Sequence, residues 1–234
     1  MAAGWIILIV MAGLVLVAIA AFAISSGLRN LRLQRAAWAG FCAHNGFVFD
    51  QADGMYGPDP RMRGQLAGTA LEIRQLYRPQ GSGRGGRLLT AFRVESPVPW
   101  PGGLIAYTPG FRMAIGGAPS AIIDSHQVRG GYGRVNDVVI GDAELDQALA
   151  IDCADLAQAG ALLRTPAVKQ ALLAAVACCG HIRIREREVV IEAAGRVTSV
   201  ERLVEHSHQV VAVARALIEA ASAIKYEARS GCPG

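Results

Sequence analysis

Two short stretches concentrate side chains able to do chemistry. Cys178-Cys179-Gly180-His181 brings two thiols and an imidazole together, and Glu205-His206-Ser207-His208 brings a carboxylate and two imidazoles together. Thiolates and imidazoles are ligands for zinc-like ions, and His with a carboxylate also serves acid–base chemistry. The spacing argues against both uses. Adjacent cysteines at a helix end do not easily share one tetrahedral ion, and no C-x-x-C partner exists elsewhere. On a helix, residues two apart point about 200° away from each other, so His206 and His208 diverge, unlike the two histidines of H-E-x-x-H. The expected outcome is buried thiols in the first stretch and a polar helix face in the second.

A third group is acidic. Asp137, Asp142, Glu144, Asp146, Asp152 and Asp155 fall in a stretch without a basic residue. Their spacing lacks the Asp-x-Asp-x-Asp-Gly loop that wraps calcium, and turn or capping roles suit them better. Gly81, Gly83 and Gly86 of "GSGRGG" satisfy G-x-G-x-x-G in form. That motif needs a helix after its glycines to receive a pyrophosphate, and here a strand-like "RLLTAFRVE" follows, so a hairpin loop is expected. No G-x-S-x-G, Cys–His nucleophile pair or phosphate loop is visible. No catalytic residue, cofactor or metal is therefore assigned.

These residues must be held by elements, and the first element is the most informative. "WIILIVMAGLVLVAIAAFAI" runs from Trp5 to Ile24, twenty residues without a charge. At about 1.5 Å per residue this length spans the roughly 30 Å hydrocarbon core of a bilayer. A helix in a soluble core keeps a polar stripe, and a secretory signal starts basic with a shorter apolar run. Neither description fits, so residues 1–27 read as a transmembrane anchor. Arg29, Arg32 and Arg35 follow the span and no Lys or Arg precedes it. The excess of Arg predicts an N-terminus facing outward, a cytoplasmic C-terminal domain, and Trp5 at the outer interface. Trp5, Arg29, Arg32 and Arg35 are thus the expected membrane-interface residues, with the lipid bilayer as partner.

Five cysteines in irregular positions do not form a disulfide framework and suit a reducing cytosol. Arginine replaces lysine almost everywhere: only Lys169 and Lys225 are lysines among 23 basic residues. Net charge is +4 but uneven. Residues 28–93 carry ten Arg against four acids, while residues 137–160 carry six acids and no base. The basic part adjoins the anchor, where anionic headgroups attract it. No dense basic run with interleaved aromatics appears, so nucleic acid is not an expected partner.

Past the membrane the pattern predicts a juxtamembrane helix over 28–45, stopped by Asn45-Gly46, with Trp38 and Phe41 on one face. An α+β domain follows over 46–226, with 227–234 as a disordered tail. Short alternating segments predict an antiparallel sheet: two strands about Gly68, then "LLTAFRVE", "LIAY", "FRMAI", "AIID" and "DVVIG". "DLAQAGALLR" and "TPAVKQALLAAVACCG" read as helices, the second capped by Thr165 and ended by Gly180. "HIRIRER" and "EVVIEA" form a hairpin. A last helix from about Ser199 to Tyr226 has Thr198 and Glu201 at capping-box spacing. Along it Val200, Leu203, Ser207, Val210, Ala214, Leu217, Ala221 and Ile224 make a 3.5-residue seam. That seam docks on the domain's own sheet or pairs two copies; docking is the simpler expectation.

Val135–Leu173 carries Gly141-Asp142, Leu145-Asp146, Leu149, Ile151, Asp155, Leu162-Leu163 and Thr165-Pro166, preceded by Gly64 and Gly68 of "GQLAG". This pattern resembles a family of uncharacterised bacterial single-pass membrane-anchored proteins, with Leu145 standing where that family usually has Phe. The resemblance implies a bacterial membrane protein and supplies no catalytic residue. The leading reading is a membrane-anchored cytoplasmic domain that binds a membrane or cytoplasmic protein partner or the lipid surface. The alternative is a membrane-tethered, hydrolase-like enzyme with a site assembled from His126, His181, Asp137, Asp142 and Asp146.

Overall fold

The structure, a computed structural model, describes residues 2–50, 60–79, 86–108 and 138–230. It opens with one long helix, α1 (Ala2–Asn45), which includes the apolar stretch and continues without a break into the domain. The described side chains of residues 11–25 are all exposed. The segment is long and apolar enough to cross a membrane. Further along, the face of α1 changes character. Gln34, Ala37, Trp38, Phe41 and Cys42 are buried, at the three- and four-residue spacing that defines one side of a helix.

An eight-stranded antiparallel sheet follows, in the order β1-β2-β3-β4-β8-β7-β5-β6. Its strands are β1 (Val48–Asp50), β2 (Arg61–Leu66), β3 (Thr69–Pro79), β4 (Gly86–Glu95), β5 (Ile105–Tyr107), β6 (Ala150–Asp152), β7 (Ile182–Arg185) and β8 (Glu188–Ala194). Helices α2 (Ala143–Ala148), α3 (Leu156–Leu163), α4 (Pro166–Cys179) and α5 (Val200–Ser230), with a short 3-10 turn at Pro101–Gly103, complete the described elements. The α+β architecture with an N-terminal apolar helix is therefore as the sequence predicts.

Period-2 alternation sorts the sheet into two faces. Met62, Leu71, Ile73, Phe92, Val94, Val189, Ile191, Ile182 and Ile184 point to the helical side and are buried. They are cross-strand neighbours: Ile73 pairs with Met62 and Phe92, and Phe92 with Ile191. The expected turn at Gly68 is present, with Ala67 and Gly68 both at positive φ (51° and 77°) joining Leu66 to Thr69. Two such residues make the tight hairpin turn that follows strand twist. Gly64 serves a different purpose, because a Cβ built there would fall 2.5 Å from the Phe47 ring.

Several local expectations change. Of "DVVIG", the described residues Val138 to Gly141 form no strand; Val138 donates a backbone hydrogen bond to the Ile151 carbonyl at 2.8 Å, and the strand at that edge is Ala150–Asp152. Thr165 stands at the N-cap of α4 but makes no capping bond, since its hydroxyl instead donates to the Ala161 carbonyl at 3.1 Å. Pro166 and Gly180 sit at the start and end of α4 as predicted. The last helix is capped by Ser199, whose Oγ accepts from the Arg202 amide at 3.3 Å, rather than by Thr198. "FRMAI" and "AIID" lie outside the described residues.

The seam of α5 faces inward. Leu203, Ser207, Val210, Ala214, Leu217 and Ala221 are buried, with Val200 and Ile224 half-buried beside the core. α5 packs on β2, β3, β4 and β8 and against α1, α3 and α4. Small residues at 207, 214 and 221 let it approach the sheet closely. Leu217→Ala in a chain of residues 28–234 should then cost about 2–5 kcal/mol. Denaturant unfolding across a hundredfold concentration range checks this. The expected midpoint is lowered by the substitution and independent of dilution, because a seam pairing two copies would shift with concentration.

Candidate functional site

Three polar arrangements stand out among the described residues, each held by a different part of the fold. The first is the stretch of α1 between the apolar segment and the docked face. Arg29, Arg32 and Arg35 are exposed there, and Gln34 is the first buried side chain of the docked face. Arg29 and Arg32 lie on the side of the helix away from Gln34, Trp38 and Phe41. Trp5 belongs to the same helix, with its side chain outside those described.

The second is the sheet face opposite the helices. Here the alternation places charges, and register sets several opposite signs directly across from each other, although Arg61 also faces Arg74 and Glu95 faces Glu188. Asp50 pairs with Arg61, Arg63 with Glu72, Glu72 with Arg93, and Arg185 with Glu188. Arg93 donates to Glu188 at 2.7 Å and lies 3.5 Å from Glu72. Arg183 reaches Glu188 at 3.1 Å. The result is one ribbon of alternating charge across β1, β2, β3, β4, β8 and β7. Each exposed cross-strand pair contributes little, about 0.2–1 kcal/mol, so the ribbon acts chiefly by fixing register.

The third holds the residues of the acidic stretch. Asp142 caps α2, its Oδ1 accepting from the amides of Glu144 (3.2 Å) and Leu145 (3.3 Å). Asp146 turns back on the preceding loop and accepts from the amides of Ile140 (2.9 Å) and Gly141 (3.1 Å). Arg164 closes that loop by donating to the Ile140 carbonyl at 2.7 Å. Lys169 on α4 reaches both Asp142 oxygens, at 2.8 and 3.0 Å, and Glu144 at 2.7 Å. Leu145, beneath this cap, is fully buried. Asp155 caps α3 through the Gln158 amide at 3.1 Å, and Asp152 ends β6. Asp142, Glu144, Asp146 and Asp155 are thus engaged by backbone amides or by one lysine, the geometry of turns and caps. Lys169 was not anticipated from the motif. A signal existed nonetheless: it is one of only two lysines in an arginine-rich chain.

The two candidate histidine stretches recombine. His206 is buried, only 8% exposed, while Glu205 and His208 are exposed, so the stretch is not the uniform polar face expected of it. The divergence of His206 and His208 does follow from helical spacing. The His206 ring packs against Phe92 with centroids 5.2 Å apart. Its neighbours across the helix pair are Cys178 and Cys179, the three ligand atoms all falling within 4.8 Å of one another. His181 is not in that group. Burial pushes the Cys178 and Cys179 thiols up, and desolvation lowers His206, so its imidazole favours the neutral form. Sequence distance hid this cluster, since 27 residues separate Cys179 from His206.

The glycine pattern resolves as a hairpin: Pro79 pairs with Gly86, and Gly86 opens a strand rather than a helix. Gly81 and Gly83 lie outside the described residues, as do His126 and Asp137. His181 is remote in sequence and element from Asp142 and Asp146, standing between α4 and β7.

No family model matches the chain, and no curated protein matches it in sequence. Among solved structures, the mycobacterial trehalose monomycolate transport factor A is similar over 80% of this chain and 93% of its own, with 14% identity and a TM-score of 0.45.

The Asp142–Lys169 contact makes a prediction with a definite sign. The Lys169 ammonium, and then the capping amides, hold the Asp142 carboxyl below its ordinary value, while Asp142 and Glu144 raise Lys169. A depressed carboxyl contributes stability above its unfolded value and loses it as pH falls. Asp142→Asn keeps a cap but loses the ion pair. Its melting temperature should be lower than wild type at neutral pH, with the two converging as pH falls from about 5 through the folded carboxyl value. Parallel thermal melts between neutral and acidic pH check it.

Proposed function

We propose that this chain is a single-pass bacterial inner-membrane protein whose α+β domain is held against the cytoplasmic surface as a binding module. The observation that carries the reading is the continuity of α1, which runs unbroken from its apolar segment to side chains buried in the domain. From the end of the apolar segment at about residue 27 to Gln34 is seven helical residues, or roughly 10 Å. No flexible linker separates the two parts, so the domain stays within about a Debye length of the headgroups. Arg29 and Arg32 occupy that interval, Arg35 directly follows it, and all three meet the anionic leaflet there. The resemblance of residues 135–173 to bacterial membrane-anchored proteins fits this reading. The engagement of Asp142 and Asp146 in capping and turn bonds supports a binding domain over a tethered hydrolase.

Orientation is tested by fusing to Gly234 a reporter active only outside the cytoplasm, beside one active only within it. Signal from the cytoplasmic reporter alone is expected, because the arginines follow the span and none precedes it. Replacing all three with Ser should raise the fraction of inverted molecules.

Surface attraction is tested with residues 28–234, which lack the apolar span. The fragment should float with vesicles containing phosphatidylglycerol and not with phosphatidylcholine alone. At about 1 kcal/mol per basic residue, changing Arg29, Arg32 and Arg35 to Ser should weaken partitioning by up to about a hundredfold. Added salt should weaken the wild type as well. Equal binding to neutral vesicles would sink the electrostatic account.

A further inference from the structure

We infer that Cys178, Cys179 and His206 form a binding site for a thiophilic d10 cation of the Zn(II) or Cu(I) class, with two sulfurs and one imidazole nitrogen as ligands. Among the described residues this is the one group of His, Cys and acids placed to share an ion. The site joins the C-terminal turn of α4 to the second turn of α5, two helices that pack on each other. The Sγ atoms of Cys178 and Cys179 lie 3.3 Å apart, so an ion about 2.3 Å from each fits astride them. Adjacency in sequence, which argued against a shared ion, therefore places both sulfurs on one side of the helix end.

His206 supplies the independent observation. Its side chain is more than nine-tenths buried, and its Nδ1 is out of contact with water and has no hydrogen-bond partner. Buried polar nitrogens are nearly always satisfied, so an orphaned one on a ring that stands beside a thiol pair calls for a partner. Zn–S and Zn–N bonds of about 2.3 and 2.0 Å at a tetrahedral angle set sulfur and nitrogen about 3.5 Å apart, and side-chain rotations that move the ligand atoms by about 1 Å reach this from the present spacing of at most 4.8 Å. Two further features favour a cation. The site lies at the carbonyl end of α4, the negative end of its dipole, and Glu205 stands beside Cys178. Sulfur and imidazole together select Zn(II) and Cu(I) over Mg(II) and Ca(II). Three protein ligands leave one position open to water, to Glu205 or to a partner's ligand. Both cysteines are only half-buried, so an ion can enter from solvent. On binding, the two thiols give up their protons to solvent while the neutral imidazole donates its lone pair.

The test uses the full chain in detergent micelles, reduced and free of oxygen, titrated with Zn(II) alone and with Cu(I) alone against a competing chromophoric chelator. One ion per chain and release of up to about two protons per ion are expected. Cys178→Ser and Cys179→Ser should each weaken binding by about a hundredfold or more, and His206→Gln by at least about tenfold. Cys153→Ser and Cys232→Ser should leave it unchanged. Should His206→Gln fail to fold, His206→Phe keeps a ring against Phe92 and removes the ligand. Thermal melts of each ion-free variant separate loss of binding from loss of fold, and Zn(II) should raise the melting temperature of wild type, Cys153→Ser and Cys232→Ser more than that of the Cys178, Cys179 and His206 variants. Failure of the folded wild type to hold an ion against the chelator would overturn the site. Tight binding that survives both His206 variants would overturn the three-ligand geometry.

Discussion

Trp38 is fully buried and donates its indole N–H to the Val197 carbonyl at 3.2 Å, tying α1 to the loop that leads into α5. Phe41 meets the Phe47 ring edge-on at 5.1 Å, and Cys42 touches Met62 on β2 through sulfur at 3.2 Å. Through these contacts α1 becomes part of the domain's core. Helix ends leave unpaired carbonyls, and these need partners where the chain turns. Here the turn comes only after Asn45, where Phe47 donates back to the Cys42 carbonyl. The helix is thus stiff along its length and rooted at one end, and the position of the rest of the chain relative to its apolar segment follows from that.

The sheet depends on the same docking. Its helical face is largely apolar from β2 to β7; α1 lies on β1 and β2, α5 crosses β2, β3, β4 and β8, and α4 covers β7 and β8. Gly64 is flat because Phe47 rests on it, so the first turn after α1 is fitted to the sheet by the absence of one side chain. On the other face, the charge ribbon from Asp50 to Arg183 gives every strand pair it crosses a preferred register. A slip by one residue would move arginines into the core and valines outward, a large cost set against the small gain of each ion pair.

Polar groups inside the domain divide into those used by the fold and those left over. The Asp142 and Asp155 carboxylates are engaged by amides at the starts of α2 and α3, where helix N-termini offer donors and favour negative charge, and Asp146 is engaged by the Ile140 and Gly141 amides of the loop before α2. Lys169 ties α2 to α4. Gln34 and Gln75 pair at 3.2 Å between α1 and β3. His206 is buried against Phe92 with an unpaired Nδ1, and the Cys178 and Cys179 thiols stand beside it.

Much was legible in the sequence because it depends on neighbours in the chain. Twenty uncharged residues specify an apolar helix, period-2 alternation specifies strands with one apolar face, and Gly68, Pro166 and Gly180 mark turns and helix ends through their own backbone preferences. The seam of α5 was equally plain, although its periodicity alone left open what it faces; the sheet settles that. Local rules failed where several residues compete for one task. Ser199 and Thr198 both offer an oxygen near the start of α5, and only the path of the chain decides which reaches the amide. Contacts between distant segments left no trace in spacing. Lys169 meets Asp142 across 27 residues, and His206 meets Cys179 across the same number, because burial of apolar faces brings α4 against α2 in the first case and against α5 in the second. Hydrophobic packing is not directional, so it places polar groups side by side without leaving any period in the sequence that records which ones will meet.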